Sequence, residues 1–336
     1  MHALVPIAVG VLPVILLLLG LVSLDSYKLV RLRSVLALVA AGVAAAVVAL
    51  AVNHALAGAL GLSPRAFSRY VAPWIEETLK AAGVVVLLRS HRIGFLVDAA
   101  ICGFAIGTGF AVVENLYYLT LHTDLHAVVW IVRGCGTAVL HGGTSALFAI
   151  VSKSVIDRHA RLGAASFLPG WLAAIVLHSF FNHFFLSPVL STVLILVILP
   201  PLFTLTFARS EASLQRWLGV GFDADTELLE LIESGQLSES RVGHYLQSLR
   251  ESFRGEVVAD MLCYLRLHTE LSLRAKGELL MREAGFKTES EPEIVEKLEE
   301  MRYLEGSIGA TGRLAMLPFL HVSGKQLWQT YMLRTR

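Results

Sequence analysis

The chain has 336 residues, of which 55% are hydrophobic and 16% charged, and its mean hydropathy is +0.64. This composition is too apolar for a soluble globular domain. The formal net charge of +1 argues against a nucleic-acid partner. We therefore expect an integral membrane protein.

Long apolar segments recur along the first two-thirds of the chain, and a helix needs about 20 such residues to cross a bilayer. Seven segments fit: 4–24, 34–60, 71–88, 93–121, 127–151, 166–186 and 189–208. The third is short and contains charged residues. The sequence predicts an all-α fold, a polytopic bundle of about seven transmembrane helices.

Charged residues concentrate in the last third of the chain. Residues 1–208 contain 7 of the 27 acidic and 12 of the 28 basic residues, a net +5, and residues 209–336 contain the other 20 and 16, a net −4. Helix-period stripes of leucine and isoleucine in the second part end at glycines such as Gly235 and Gly285. We expect a seven-span domain over 1–208 and a cytoplasmic helical domain over 209–336.

The distribution of Lys and Arg indicates on which side of the membrane each loop lies. They follow spans one, three, five and seven, whereas the alternate loops contain only Arg65 and Arg69 or the stretch 122–126, which has no Lys or Arg. By the positive-inside rule the N-terminus lies outside and the tail lies in the cytoplasm. The apolar stretch 311–333 is interrupted by Pro318 and is predicted to dock or lie at the interface rather than span.

Ionisable side chains inside a span are costly and usually functional. They occur in four successive predicted spans, together with an asparagine: Glu76, Glu77 and Lys80; Glu114; Arg133 and His141; His178 and Asn182. Structural explanations stay open for the first three groups taken alone. The first could be an acidic helix start with a salt bridge, Glu114 an interfacial carboxylate, His141 a histidine bonded to backbone, and Arg133 a snorkelling or neutralising base.

Depth indicates that the four groups meet. At about 1.5 Å per residue, Glu76 and Glu77 lie roughly 7–9 Å, Glu114 about 10 Å and His178 about 12 Å below the outer ends of their helices. His141 is deeper, at roughly 20 Å. All of them can converge in the outer half of the bundle, and carboxylates combined with imidazoles suit a divalent metal such as zinc.

Hydrolysis of a peptide bond is the chemistry that such a set supports. Two or three of Glu77, Glu114, His141 and His178 would hold the metal, which activates a water. A carboxylate off the metal would act as general base. We assign this part to Glu76, although the sequence barely separates it from Glu77. Lys80 would keep the acidic pair ionised, and Asn182 or Arg133 would donate to the oxyanion.

At these residues the chain resembles the PrsW family of intramembrane proteases, part of the wider group that includes the type II CAAX prenyl proteases. The matching motifs are Glu76-Glu77-x-x-Lys80, Phe110-x-x-x-Glu114-Asn115, His141, and His178-x-x-x-Asn182. They occupy about residues 66–190, one per span. The lysine spacing and the glutamate of the second motif favour this family over the CAAX proteases.

The resemblance implies a metalloprotease of the bacterial plasma (inner) membrane, with zinc as the expected ion. It further implies a single-span substrate, such as an anti-sigma factor, cut on its outer side. The tail lies outside the shared core, so substrate and regulation stay open, and the tail is expected to bind a cytoplasmic partner. The alternatives are a proton-coupled transporter and a non-catalytic receptor. No inverted repeat or broken helix pair supports a transporter.

Overall fold

The computed structural model describes most of the chain. The described residues are 4–121, 126–159, 162–286, 292–320, 328–329 and 332–333. Every regular element in these ranges is helical, so the predicted all-α class is confirmed. The chain forms two compact units, residues 1–211 and residues 212–336. The predicted domain boundary lies three residues before the boundary between these units.

The first unit contains the apolar helices. They are α1 (Leu4–Ser23), α2 (Leu32–Leu60), α3 (Pro64–Tyr70), α4 (Ala72–Arg89), α5 (Leu96–Leu121), α6 (Ala127–Ile131), α7 (Val139–His159), α8 (Leu168–His183) and the start of α9 (Pro188–Glu233). A π-helical segment, Val132–Ala138, joins α6 to α7 without a break. Such segments have i→i+5 hydrogen bonds and often occur at functional sites.

Six helical stretches among the described residues are long and apolar enough to cross a bilayer. They correspond to α1, α2, α5, the continuous stretch from α6 to α7, α8 with the turn before it, and α9. The predicted membrane bundle is therefore confirmed. Helix α4 coincides with the third predicted span, but its 18 residues include four charged ones, and its place as a seventh span stays a prediction.

Helix α5 forms the centre of this unit. Every residue from Val97 to Ala111 is buried, because α5 packs against α1, α2 and α7. Glycines make the approach to α7 close: a Cβ added to Gly103 would lie 2.5 Å from Ser145 O, and one added to Gly107 would lie 2.2 Å from His141 O. Small residues four apart are a common device for bringing two membrane helices together.

The second unit is built from more polar helices. After α9 it contains α10 (Arg241–Ser248), α11 (Gly255–Glu283) and α12 (Pro292–Leu320). Gly235 and Gly285 have positive φ, the backbone conformation that ends a helix most readily at glycine. Helix α12 is kinked at Gly309, whose φ is 65°. The apolar stretch predicted at 311–333 begins after this kink and is helical as far as Leu320, and most of the chain beyond Leu320 lies outside the described residues.

Candidate active site

Helix α4 aims two of its charged side chains into the bundle. Glu77 and Lys80 are 2% and 1% exposed, and Lys80 Nζ lies 2.6 Å from Glu77 Oε1. The two residues are three apart, so they face each other along one side of the helix. The predicted ion pair is present, and it is fully enclosed by protein.

Glu77 Oε1 also accepts hydrogen bonds from two other helices. Thr144 Oγ1 of α7 donates at 3.2 Å, and His178 Nδ1 of α8 lies 2.7 Å away. An ionised carboxylate can only accept, so the His178 proton belongs on Nδ1. Glu77 therefore fixes the ring orientation of His178 and leaves the Nε2 lone pair free.

Glu76 projects to a different side of α4 from Glu77. Its Oε1 accepts a hydrogen bond from Asn53 Nδ2 of α2 at 3.0 Å, and its Oε2 lies 3.7 Å from His178 Nε2. The side chain is 13% exposed, whereas Glu77 is enclosed. The two neighbouring carboxylates thus meet opposite nitrogens of the same imidazole.

His141 of α7 lies beside His178, with the ring centroids 4.9 Å apart in an edge-on arrangement. Its Nδ1 is 3.1 Å from Lys80 Nζ and its Nε2 is 2.5 Å from Glu114 Oε2. One ligand atom each from Glu76, His141 and His178 can be chosen so that all three atoms lie within 4.8 Å of one another. This cluster, which we call the Glu–His–His triad, joins three helices.

The other carboxylate oxygen of Glu114, Oε1, is bound by an arginine. Arg133 Nη2 donates to Glu114 Oε1 at 3.0 Å, and Arg133 Nε donates to Asn115 Oδ1 at 2.9 Å. The guanidinium stacks 3.9 Å from the centroid of the Tyr118 ring. Arg133 lies in the π-helical segment, so this irregular turn positions the guanidinium that offsets the charge of Glu114.

Asn182, one of the two predicted oxyanion donors, takes part in a contact between α3 and α8. Its Nδ2 donates to Ser68 O at 2.9 Å, while Arg69 donates to the carbonyls of Asn182 and His183 at 3.3 and 3.1 Å. Ser179 Oγ donates back to Arg69 O at 2.7 Å. These bonds tie α3 to the C-terminal end of α8, where free carbonyls favour a positive charge.

The residues of the triad fit a divalent metal. Two imidazoles and a carboxylate are the ligands of a catalytic zinc site, in which neighbouring ligand atoms around one ion lie about 3.3 Å apart. The 3.7 Å between Glu76 Oε2 and His178 Nε2 is close to that value. The cluster also contains three carboxylates against two bases, Lys80 and Arg133, and a buried excess of negative charge favours a cation.

Two contributors were not expected from the sequence. Asn53 bonds Glu76, and Arg69 binds the end of α8. Asn53 was detectable as a lone amide in the apolar C-terminal half of α2, since such a group must find a partner in a membrane. Arg69 carried no such signal, because a basic residue beside a membrane surface is ordinary.

Comparison with known proteins identifies the pattern. A family model described as PrsW family intramembrane metalloprotease matches residues 31–206, slightly more than half of the chain. The matched range includes the triad, Glu77, Lys80, Glu114 and Arg133. Neither the curated proteins nor the solved structures yielded a match.

Proposed function

The chain belongs to the PrsW family of intramembrane metalloproteases, and on that premise we propose that Glu76, His141 and His178 hold its metal. Membership makes the protein a membrane-embedded peptidase that uses a divalent metal and acts on membrane proteins within the bilayer. The observation that carries the ligand assignment is the convergence of three ligand atoms within 4.8 Å. We propose zinc as the ion, because of the donor set.

The two adjacent glutamates then have separate parts, and these differ from the expectation from sequence, in which Glu76 was the base and Glu77 a ligand. Glu76 is the ligand, because its Oε2 faces His178 Nε2. Glu77 is a positioning residue, because its oxygen is engaged by Lys80, Thr144 and the Nδ1 side of His178. A carboxylate behind a ligating histidine holds the ring in place and raises its basicity.

A divalent ion held by the triad would supply Lewis-acid activation of water and of the scissile carbonyl. We assign the general base to Glu114. Its Oε1 is held by Arg133, its Oε2 lies against His141, and its side chain is 28% exposed, whereas Glu77 is enclosed. The carboxylate would take a proton from the attacking water and give it to the leaving amine.

Asn182 and Arg133 receive supporting parts in this account. Asn182 joins α8 to α3 through Ser68 O, and Arg133 orients Glu114. Lys80 offsets the charge of Glu77 and contacts His141 Nδ1. The proposed machinery is therefore the triad, one general base and a set of residues that fix their orientations.

The finer biological assignment is also a proposal. We place the protein in the bacterial inner membrane, with the N-terminus outside and residues 209–336 in the cytoplasm, since basic loops alternate with nearly neutral ones. The substrate is a single-span membrane protein resembling an anti-sigma factor, cut on the outer side. The tail is proposed to bind a cytoplasmic partner.

Cleavage of a co-expressed single-span reporter tests this function. Glu76→Ala and the double variant Glu76→Gln/Glu77→Gln should insert at wild-type levels and leave the reporter intact. His54→Ala is the matched control, because His54 adjoins the site in sequence but its side chain is exposed, and it should cleave normally. Continued cleavage by the double variant would contradict the proposed roles of the two glutamates, and absence of cleavage by wild type would favour a non-catalytic receptor.

A further inference from the structure

Asn53 is an amide in α2, a helix outside the triad. It lies seven residues before the end of α2 at Leu60, so it is about 10 Å below that end, the depth expected for Glu76 and Glu114. Its Nδ2 donates to Glu76 Oε1 at 3.0 Å. Helix α2 thus reaches the triad through this hydrogen bond.

The orientation of this amide is decided by Glu76. The amide oxygen, Asn53 Oδ1, is buried and has no hydrogen-bond partner in the described part of the chain. Turning the amide over would point that oxygen at the Glu76 carboxylate, and two acceptors repel. The amide therefore keeps an unpaired oxygen in order to donate to Glu76, and an unpaired buried acceptor is unfavourable.

The bond has a direct consequence for the carboxylate. With Oε1 fixed by Asn53, the other oxygen of Glu76 faces His178 Nε2 across 3.7 Å. His178 is fixed in the same manner by Glu77 at Nδ1. In each of these two proposed ligands, one polar atom is therefore held by a neighbouring side chain. The other polar atom, Glu76 Oε2 or His178 Nε2, faces the other ligand.

We propose that Asn53 is a positioning residue for the metal centre and orients Glu76 as Glu77 orients His178. The inference rests on the proposed function, because it presumes that Glu76 binds metal. Loss of such a supporting hydrogen bond weakens metal affinity by about 10- to 100-fold and distorts the ligand geometry. If the Asn53 amide only filled space among the helices, its replacement would leave both the metal affinity and the ligand geometry unchanged.

The test is titration of the purified full-length protein in detergent with Co²⁺, whose visible absorption reports coordination geometry. Asn53→Leu removes the donor while keeping the branched shape of the side chain, and Asn53→Gln retains a donor. Should Asn53→Leu fail to fold, Asn53→Ala serves in its place. His54→Ala on the same helix is the control, and Glu76→Ala measures the loss of a ligand.

We expect wild type and His54→Ala to bind Co²⁺ equally, Glu76→Ala to lose the site, and Asn53→Leu to bind about 10- to 100-fold more weakly with a changed spectrum. Asn53→Gln should recover part of the affinity. Wild-type affinity and spectrum in Asn53→Leu, with binding lost in Glu76→Ala, would overturn the role of Asn53 alone. Absence of binding by wild type would instead overturn the proposed metal centre, and this inference with it.

Discussion

The first unit contains two sets of charged residues in its interior, and they differ in how far along the chain their hydrogen-bond and ion-pair partners lie. In the first set, at helix ends, partners are local: Asp98 Oδ2 accepts from Gly94 N at 2.8 Å, Asp25 Oδ2 from Val30 N at 3.1 Å, and Lys153 pairs with Asp157 at 2.7 Å. Each bond joins residues no more than five apart. These charges cap and tie single turns or loops.

In the second set, around the triad, partners come from distant parts of the chain. Lys80 and His141 are 61 residues apart, Thr144 and Glu77 are 67, and His178 and Glu77 are 101. The Lys80–Glu77 pair lies within α4, but the other bonds of this set join different helices, so they form only when those helices pack together. Burial does not separate the two sets, because Asp98 is as enclosed as Glu77, whereas the origin of most of their partners does.

The largest expected effect separates the two sets directly. His178→Ala removes a proposed ligand and should lower reporter cleavage by at least about 1,000-fold, since a metal supplies several kcal/mol of transition-state stabilisation. Asp98→Ala, with an equally buried charge of the local kind, should cleave within about threefold of wild type. Cleavage by His178→Ala within tenfold of wild type would show that the distant pairing has no catalytic meaning.

The second prediction concerns the ion pair of Glu77 and Lys80. Glu77→Leu or Lys80→Met alone leaves a buried charge uncompensated and should destabilise the protein by about 3–5 kcal/mol, while the double variant should recover most of that stability. Thermal unfolding in detergent measures this. Cleavage should stay low in all three variants, because His178 loses its acceptor or His141 its neighbour. A double variant as unstable as the singles would argue against a direct pair.

The third prediction tests the packing that carries His141 into the site. Gly107→Ala places a methyl group against His141 O, so α5 and α7 must separate at some cost, about 1–3 kcal/mol for an overpacked contact. Lower melting temperature and reduced cleavage are expected together. Gly20→Ala is the control, because a Cβ added there meets nothing within 4 Å, and unchanged behaviour of both variants would contradict the close approach.

The smallest expected effect belongs to the local set. Asp98→Ala removes an acceptor for two backbone N–H groups, Gly94 N and Phe95 N. Such losses at a helix start cost about 0.5–2 kcal/mol. A slightly lower melting temperature with normal Co²⁺ binding should result. Weakened metal binding in this variant would mean that the two sets of charges are coupled.

The sequence could predict the existence of the site because its motifs fall one to a span at compatible depths. It could not divide the parts of Glu76 and Glu77. Adjacent residues on a helix project about 100° apart, so their roles depend on how α4 is rotated in the bundle. The contact of Asn182 could not be predicted for a related reason. Its spacing showed only that it lies one turn from His178, whereas its bond to Ser68 O depends on where α3 lies.

Metal content of the purified full-length protein, measured beside reporter cleavage in the same preparations, tests the central claim most directly. Wild type and Asp98→Ala should each contain about one divalent ion per chain and cleave the reporter. Glu76→Ala and His178→Ala should lose both the ion and the activity, while remaining folded in detergent. Full cleavage by wild-type protein without a stoichiometric metal, or a full complement of metal in His178→Ala, would contradict the account.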